Sequence, residues 1–384
     1  MTTTQIAIPL SVPQLTGNLR QYLEECIETN YVSSVGPFVS RFEKAFAEFV
    51  GARFAIGCVS GTAALHLAVR LLNVQPADEV IVSTFTFVAS VNAILYERGV
   101  PILIDSERSS WNLDPELVTD EIKRRARQGK PLPRAVEVVH LLGHPANIEP
   151  IFDICQEYQI PIFEDAAEAL GATYRTGKFA GRNVGTIGKI GCFSFNGNKI
   201  ITTGGGGMLT TDDEEVARRA KHLTTQARLP GAEYWHDEVG YNYRLTNVAA
   251  AIGLSQLEQL PEFLFKKRAI AAMYDRVLDA VPGITLPPRA KWADASMWLY
   301  SPLVDGEEFG CDRSGVLARL AKCGIEARPL WPPVHKMPLY ENAPYVGSRV
   351  AEDVFARGLT LPCSVGLTAD EQDTVIDCLL SSRA

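Results

Sequence analysis

The 384-residue sequence lacks the features of a membrane protein or a general nucleic-acid-binding protein. No apolar run approaches the ~18 residues that a membrane-spanning helix needs. Lys and Arg number 37 against 45 Asp and Glu, and the formal charge of −8 argues against general nucleic-acid binding. The opening MTTTQIAIPLSVPQL lacks the basic segment and long apolar stretch of a secretory signal. We therefore expect a cytoplasmic protein with no membrane insertion and no nucleic-acid partner.

Several common site motifs are also missing. The eight cysteines form no C-x-x-C pair, so the sequence predicts no zinc cage, no redox motif and no other metal site. Without an export signal, we expect the cysteines to be free thiols in a reducing cytosol. Neither G-x-G-x-x-G nor G-x-x-x-x-G-K-[ST] occurs, which argues against dinucleotide and P-loop sites.

Hydrophobic patterning predicts an α/β protein with two domains. Short apolar strands alternate with helical segments over residues 50–165, which is typical of a largely parallel sheet covered on both faces. Residues 190–211 follow as strand, loop and strand, and a long helix is predicted from about 247 to 281. Proline and glycine pairs then precede a smaller α/β region. We expect a large domain at 1–255, and a connecting helix with a small domain at 256–384.

Polar motifs stand where predicted strands end, which is where open parallel sheets bind ligands. Ser60-Gly61-Thr62 follows a strand and opens a helix, so it offers amides and hydroxyls to an anion such as phosphate. An ordinary helix cap has the same pattern. Asp165 closes the strand PIFE, where it is either a helix cap or a buried carboxylate that pairs with a cation.

The stretch FSFNGNKIITTGGGGML places Lys199 just ahead of four consecutive glycines. Taken alone, Lys199 is typical of a surface loop. A phosphate cradle, a strand-end acid and this lysine together are what pyridoxal phosphate (PLP) requires, because the cofactor needs an amine, a partner for its ring nitrogen and a phosphate anchor. Phe87 either packs in the core or supplies an apolar face to the ring.

The chain resembles the DegT/StrS family of PLP-dependent sugar-nucleotide aminotransferases over nearly its whole length. The motifs that carry the resemblance are SGTAALHLA, STFTFVASVNAI, LLGHPANI, EDAAEALGA, GCFSFNGNKIITTGGGGML, GYNYRLTN and ARPLWPPVH. The resemblance implies the fold-type I aminotransferase architecture, in which a large domain with a mostly parallel central sheet and flanking helices precedes a smaller C-terminal α/β domain. Within the family, the motifs are most similar to the branch that makes 4-amino-4,6-dideoxy sugars of the bacillosamine and legionaminic type.

The resemblance also implies roles for individual residues. Lys199 would form a Schiff base with PLP, and Asp165 would pair with the pyridine nitrogen. Gly61, Thr62 and Ser194 would hold the phosphate.

Three further residues receive roles from the resemblance. Glu168 would lie near the 3-hydroxyl of the cofactor, at a position where many members carry glutamine or histidine. Asn242 would reach the phosphate from the second subunit of a homodimer with shared sites. His335 matches a histidine near the sugar-nucleotide site.

The implied reaction is transamination of a 4-keto-6-deoxy sugar nucleotide, with L-glutamate as amino donor and 2-oxoglutarate as its product. UDP-2-acetamido-2,6-dideoxy-4-hexulose is the expected acceptor, in the service of surface-glycan biosynthesis. A GDP-linked 4-keto-6-deoxymannose and a 3-keto sugar stay open as alternatives. A PLP-dependent sugar dehydratase would have histidine in place of Lys199, and an inactive regulatory relative would not need Lys199 and Asp165 together.

Overall fold

The computed structural model describes residues 7–231 and 233–383. Its strands, in chain order, are β1 Phe54–Cys58, β2 Glu79–Ser83, β3 Val100–Ile104, β4 Ala135–Val139, β5 Ile162–Asp165, β6 Thr173–Tyr174, β7 Ile190–Ser194, β8 Gly207–Thr211, β9 Ile284–Thr285, β10 Ala293–Asp294, β11 Leu303–Val304, β12 Arg328–Pro329, β13 Tyr345–Val346 and β14 Leu359–Thr360.

Helices precede, connect and follow these strands. They are α1 Leu19–Glu28, α2 Pro37–Val50, α3 Gly61–Leu71, α4 Val88–Tyr96, α5 Pro115–Arg127, α6 Ile148–Glu157, α7 Glu214–Thr224, α8 Asn247–Leu257, α9 Leu260–Leu278, α10 Gly306–Phe309, α11 Arg313–Lys322, α12 Val350–Arg357 and α13 Ala369–Leu380. None of the helices in the described ranges is long and apolar enough to cross a lipid bilayer.

Eight strands form the central sheet in the order β1-β8-β7-β5-β4-β2-β3-β13. Neighbouring strands from β7 to β13 in this order run parallel, and β8 is antiparallel to both β1 and β7. The predicted α/β class and mostly parallel sheet are confirmed. The strand–loop–strand pattern of residues 190–211 is the β7–β8 pair, with Lys199 in the connecting loop.

Both faces of the sheet are covered by apolar helix surfaces. One core contains side chains of α2, α5, α6, α8 and α9, and the other contains those of α3, α4 and α7. In α2, for example, Phe38, Phe42 and Phe46 recur at helical spacing and are fully buried. This two-sided burial explains why the strands are short continuous apolar runs.

The predicted long helix at 247–281 is two helices. α8 ends at Leu257, and α9 begins at Leu260 with Pro261 in its first turn. A proline has no amide hydrogen to donate and is accommodated at a helix start, so it favours a new helix there.

Two other expectations also differ from the structure. The strand predicted within MWLYSPLV is reduced to Leu303–Val304. Cys323 and Cys378 form a disulfide between the end of α11 and α13, whereas free thiols were expected. The other six cysteines are free.

Several contacts tie the C-terminal region to the rest of the fold. β13 pairs with β3 at the edge of the central sheet. The N-terminal segment crosses the C-terminal region, where Ile8 bridges Ile325 and the Leu10 amide donates to Glu326 at 3.1 Å. The division into residues 1–255 and 256–384 stays a prediction.

Candidate active site

A cavity of about 370 Å³ lies where several parallel strands of the central sheet end. Its walls come from the segments that follow β1, β2, β5 and β7, as expected for an open parallel sheet. Seven predicted site residues line this one cavity: Gly61, Thr62, Phe87, Asp165, Glu168, Ser194 and Lys199. The structure therefore brings together residues that are more than 130 positions apart in the sequence.

Asp165, the last residue of β5, is buried at the base of the cavity. Its Oδ2 accepts a hydrogen bond from Ser90 Oγ at 2.8 Å, and its Oδ1 accepts one from the Ala167 amide at 3.0 Å. Burial raises the pKa of this carboxyl, although these bonds and the nearby charge of Lys199 oppose the rise. The two bonds fix a carboxylate that is suited to pair with a buried cation.

An anion cradle forms where α3 begins. The Ser60 hydroxyl accepts from the Ala63 amide at 3.0 Å, while the first amides of the helix have no acceptor in a preceding turn. A Cβ on Gly61 would lie 2.7 Å from the Ser194 Cβ, so only glycine lets the end of β7 approach this helix. The amides of Gly61 and Thr62 and the hydroxyl of Ser194 thus surround a space that suits a phosphate.

Lys199 enters the cavity from the β7–β8 loop. Its Nζ lies 3.5 Å from Glu168 Oε1 and 3.7 Å from the centre of the Trp298 ring. Burial lowers the pKa of the amine, and the carboxylates of Glu168 and Asp165 act against that shift. Lys199 is therefore a buried amine rather than the solvated surface cation that the loop alone would suggest.

The glycine run after Lys199 has two structural reasons. Gly204 has φ of +80°, a left-handed conformation that glycine adopts without steric cost. A Cβ on Gly207 would lie 2.5 Å from the carbonyl carbon of Ser60, so glycine lets β8 pass close to the anion cradle. Gly205 and Gly206 line the cavity and leave room in it.

Aromatic side chains line the mouth of the cavity. Phe87 is 51% exposed, and its ring meets Trp331 edge-on with 5.8 Å between centroids. Trp331 in turn stacks against Trp298 at 6.3 Å. Phe87 therefore lines the cavity rather than packing in the core, and its role as an apolar face for a ring stays a prediction.

Asn242 and His335 do not line this cavity. Asn242 is exposed beside Thr225, on the segment that leads to α8. His335 contacts Thr84 through Nδ1 at 2.7 Å and stacks on Tyr345 with 4.0 Å between ring centroids. The roles expected for these two residues stay predictions.

The residues of the site or its support that the sequence prediction missed include Ser90, Leu142, Trp298 and Trp331. Ser90 lies three positions after Phe87 in the quoted motif STFTFVASVNAI, so its place one helical turn further could have been recognised. The two tryptophans come from the C-terminal region and carry no local pattern that points to Lys199.

The residues in this cavity fit PLP. They supply a buried amine, a fixed carboxylate, an anion cradle and an apolar wall, which are the groups that this cofactor requires. The glycine at position 61 supports the fit, because a side chain there would fill the cradle.

Comparison with known proteins supports the same interpretation. The model of the DegT/DnrJ/EryC1/StrS aminotransferase family matches residues 13–380. The putative pyridoxal phosphate-dependent aminotransferase EpsN of Bacillus subtilis is 42% identical, over 97% of this chain and 95% of that one. A GDP-perosamine synthase of Caulobacter vibrioides is 39% identical, over 97% of each chain. The crystal structure of the aminotransferase TlmJ from Streptoalloteichus hindustanus superposes with a TM-score of 0.88 at 29% identity, over 98% of each chain.

Proposed function

Because this chain belongs to the DegT/DnrJ/EryC1/StrS family of PLP-dependent sugar aminotransferases, we propose that it moves an amino group from L-glutamate to C4 of a 4-keto-6-deoxy sugar nucleotide. One observation carries the proposal: Lys199, Asp165 and the anion cradle line the same cavity. Such an arrangement provides attachment, ring pairing and phosphate binding at one place.

In this proposal each residue has a defined task. Bound PLP supplies a carbonyl that can carry the amino group and a ring that accepts electrons from the substrate carbon. Asp165, whose carboxylate is fixed by Ser90 and Ala167, would keep the ring nitrogen protonated. Lys199 takes the proton from Cα of L-glutamate and serves as general base and acid in turn. 2-Oxoglutarate would leave with a keto oxygen from water and without the amino group, and the keto sugar would take its place, receive that amino group and release water.

The aromatic mouth gives the sugar nucleotide a place to enter. Phe87 and Trp331 present ring faces beside the cavity, and aromatic faces pack well against sugars and bases. The nucleotide stays outside while C4 of the sugar reaches Lys199.

The nucleotide that carries the sugar is either UDP or GDP in this proposal. The resemblance of the motifs favours the UDP-linked 2-acetamido-2,6-dideoxy-4-hexulose. The similarity to a GDP-perosamine synthase favours a GDP-linked 4-keto-6-deoxymannose, and this is the first acceptor to test. A sugar with the keto group at C3 is third, and the presence of Lys199 argues against a dehydratase.

A homodimer with shared sites is part of the proposal. The loop before Asn242 exposes Tyr234, Trp235 and Val239 at 77%, 65% and 75%, and clustered exposed apolar side chains favour an interface. A partner chain would cover this loop and bring Asn242 towards the neighbouring phosphate cradle. The protein would act in the cytoplasm, where nucleotide sugars are made.

An absorbance spectrum tests the proposal first. The protein loaded with PLP is expected to show a visible band that L-glutamate removes and that the correct keto sugar restores, with GDP- and UDP-linked sugars offered in parallel. In Lys199→Ala, L-glutamate should not remove the band and the keto sugar should not restore it. A wild-type protein that stays colourless with added PLP would refute the proposal.

Mixing two variants tests the shared site. Lys199→Ala and Asn242→Ala homodimers are each expected to be weakly active, whereas refolded mixtures should regain activity because hybrids contain one intact site. If mixtures show only the average of the two variants, Asn242 acts within its own chain or not at all.

A further inference from the structure

Glu168 differs from the other carboxylate of the cavity in how its two oxygens are used. Oε2 accepts a hydrogen bond from the Leu142 amide at 2.8 Å. Oε1 faces Lys199 Nζ at 3.5 Å. Asp165, by contrast, uses both oxygens for Ser90 and Ala167. Glu168 is therefore anchored on one side and directed at the reactive amine on the other.

The backbone next to Glu168 is shaped to hold it. Leu142 has φ of 55° and ψ of 17°, a left-handed conformation that costs a non-glycine residue roughly 1 kcal/mol or more. Gly143 follows with φ of +91°, and a Cβ there would lie 2.5 Å from Ser296 Oγ. This turn aims the Leu142 amide at Glu168, and its tight packing prevents it from relaxing away.

The opposite side of Lys199 is also built for a cation. Its Nζ lies 3.7 Å from the centre of the Trp298 ring, a cation–π contact. Trp298 Nε1 donates to the carbonyl of Asn198 at 2.7 Å, so the ring is fixed to the residue just before Lys199. Both Lys199 and Glu168 are largely buried, with side chains 14% and 6% exposed.

We propose that Glu168 is the proton partner of Lys199: Oε1 takes the proton that Nζ loses, and an ammonium–carboxylate pair becomes an amine and a carboxylic acid. One N–H bond breaks, one O–H bond forms, and the net charge of the pair does not change. This inference rests on the proposed role of Lys199 as the reactive amine. It gives Glu168 a task at the lysine, in addition to the expected position near the cofactor hydroxyl.

The electrostatics of the site support this exchange. Burial raises the pKa of Glu168 and lowers the pKa of Lys199, so the two values move towards each other and transfer becomes easier. The titratable groups that face Lys199 are Glu168 and Asp165, both from the segment at the end of β5. From the C-terminal region Trp298 faces it, and an indole does not titrate. Asp165 also faces Glu168 and raises its pKa further.

The test uses Glu168→Gln, which keeps an oxygen for the Leu142 amide but removes the charge. The full chain, freed of cofactor, is labelled with an amine-directed acylating reagent between pH 5 and 10, and the labelled lysines are counted by peptide mass spectrometry. Without the carboxylate, burial is unopposed at Lys199. Its labelling midpoint should therefore fall by about one pH unit or more, which is roughly tenfold faster labelling below the midpoint. Lys44, whose side chain is 79% exposed, is the internal reference and should not change.

Two further variants keep the test sharp. Asp165→Asn removes the second carboxylate that faces Lys199 and should shift the midpoint less, since no ion pair joins Asp165 to Nζ among the described contacts. Glu168→Asp keeps the charge and should retain most of the wild-type midpoint. Turnover of Glu168→Gln should fall about 10- to 100-fold with an altered pH profile.

The outcomes separate this inference from the proposed function. An unchanged Lys199 midpoint in a folded Glu168→Gln protein overturns the proton partnership, even if transamination is observed. If the Lys199 midpoint shifts in Glu168→Gln but the wild-type protein does not transaminate, the result supports the Glu168–Lys199 pair and refutes the aminotransferase proposal. A melting temperature that changes without any midpoint shift assigns Glu168 a structural role only and overturns the inference.

Discussion

Glu164 and Asp165 are neighbours in β5 whose side chains point to opposite faces of the sheet. Glu164 accepts hydrogen bonds from the amides of Gly185, Ile187 and Gly188 and contacts His140 Nε2 at 3.0 Å. Burial alone would raise its pKa, but these donors outweigh burial and lower it. Asp165 has two donors, and its pKa is raised. Burial is nearly the same in both, so the additional donors and the charge of His140 account for the opposite direction of the pKa shift at Glu164.

Glu137 in β4 extends the comparison. Strand pairing puts Val139 beside Asp165, so Glu137 lies two residues before Val139 on the same face of the sheet as Asp165. It is fully buried, and neither of its oxygens has a hydrogen-bond partner among the described residues. Its pKa is raised well above the usual range because burial and the charge of Asp165 both favour the protonated form. On the face of the sheet that carries Asp165, burial thus raises the pKa of both carboxyls, whereas on the opposite face the donors lower the pKa of Glu164.

The largest effect is expected when the charge of Asp165 is removed. Asp165→Asn should reduce transamination on the order of 10⁴-fold, because an amide cannot hold a protonated ring nitrogen by charge. The unfolding midpoint should stay close to that of the wild type, since a buried charge is lost together with its desolvation cost. Steady-state kinetics and urea denaturation measure the two quantities. If Asp165→Asn were inactive only because it is unfolded, Asp165 and Glu164 would not differ in the way proposed.

Glu164→Ala should have the converse effect on the opposite face. Three amides and His140 lose their acceptor, so the free energy of unfolding should fall by about 3–5 kcal/mol. The kcat per folded molecule should change little, because Glu164 does not line the cavity. Urea denaturation gives the first value, and activity normalised to the folded fraction gives the second. Unaltered stability would mean that the donors are satisfied in another way.

Glu137→Met should increase the free energy of unfolding by about 1–3 kcal/mol at pH 7, because an unpaired buried carboxyl is replaced by an apolar side chain of similar size. The matched control is Glu164→Met, which should be destabilising. If both substitutions changed the free energy of unfolding in the same direction, burial rather than the set of hydrogen-bond donors would dominate at both positions.

The smallest expected effect is the pH dependence of the stability that Glu137→Met gains. The folded-state pKa of Glu137 is raised, so its stabilisation is fully present below the unfolded value of about 4.3 and is lost as pH rises towards the folded value. The advantage of Glu137→Met should therefore shrink below about 1 kcal/mol near pH 4 and grow towards pH 7. The pKa of Glu164 is lowered, so its contribution runs the other way and is lost only as pH falls through its folded value. Urea denaturation at a series of pH values measures this. If Glu137 were hydrated, the difference in stability between the wild type and Glu137→Met would not change with pH.

The sequence allowed the parts of the site that lie at strand ends to be predicted. Asp165 and Ser194 close β5 and β7, Gly61 opens α3 after β1, and Lys199 lies in the loop that follows β7. Periodicity locates these strand ends, and a parallel sheet brings them together. Trp298 could not be found in this way, because its contact with Lys199 joins residues about 100 positions apart through tertiary packing.

Other features needed information that local patterns do not contain. The break before Pro261 could have been recognised, since proline favours the first turn of a helix. The Cys323–Cys378 bond could not, because spacing along the chain says nothing about the distance between side chains. Glu164 and Asp165 are adjacent in the motif EDAAEALGA, and their two environments become distinct only once the neighbouring strands are in place.

The order of strands in the sheet also has a consequence in time. β1 pairs with β8 along its whole length, and Cys58 faces Gly207, about 150 residues later in the chain. A ribosome adds about 5–20 residues per second, so β1 waits about 7–30 s for its partner to be synthesised. During that interval its strand edge is available to other nascent chains. Slower translation between these two strands would therefore lengthen the period in which aggregation competes with folding.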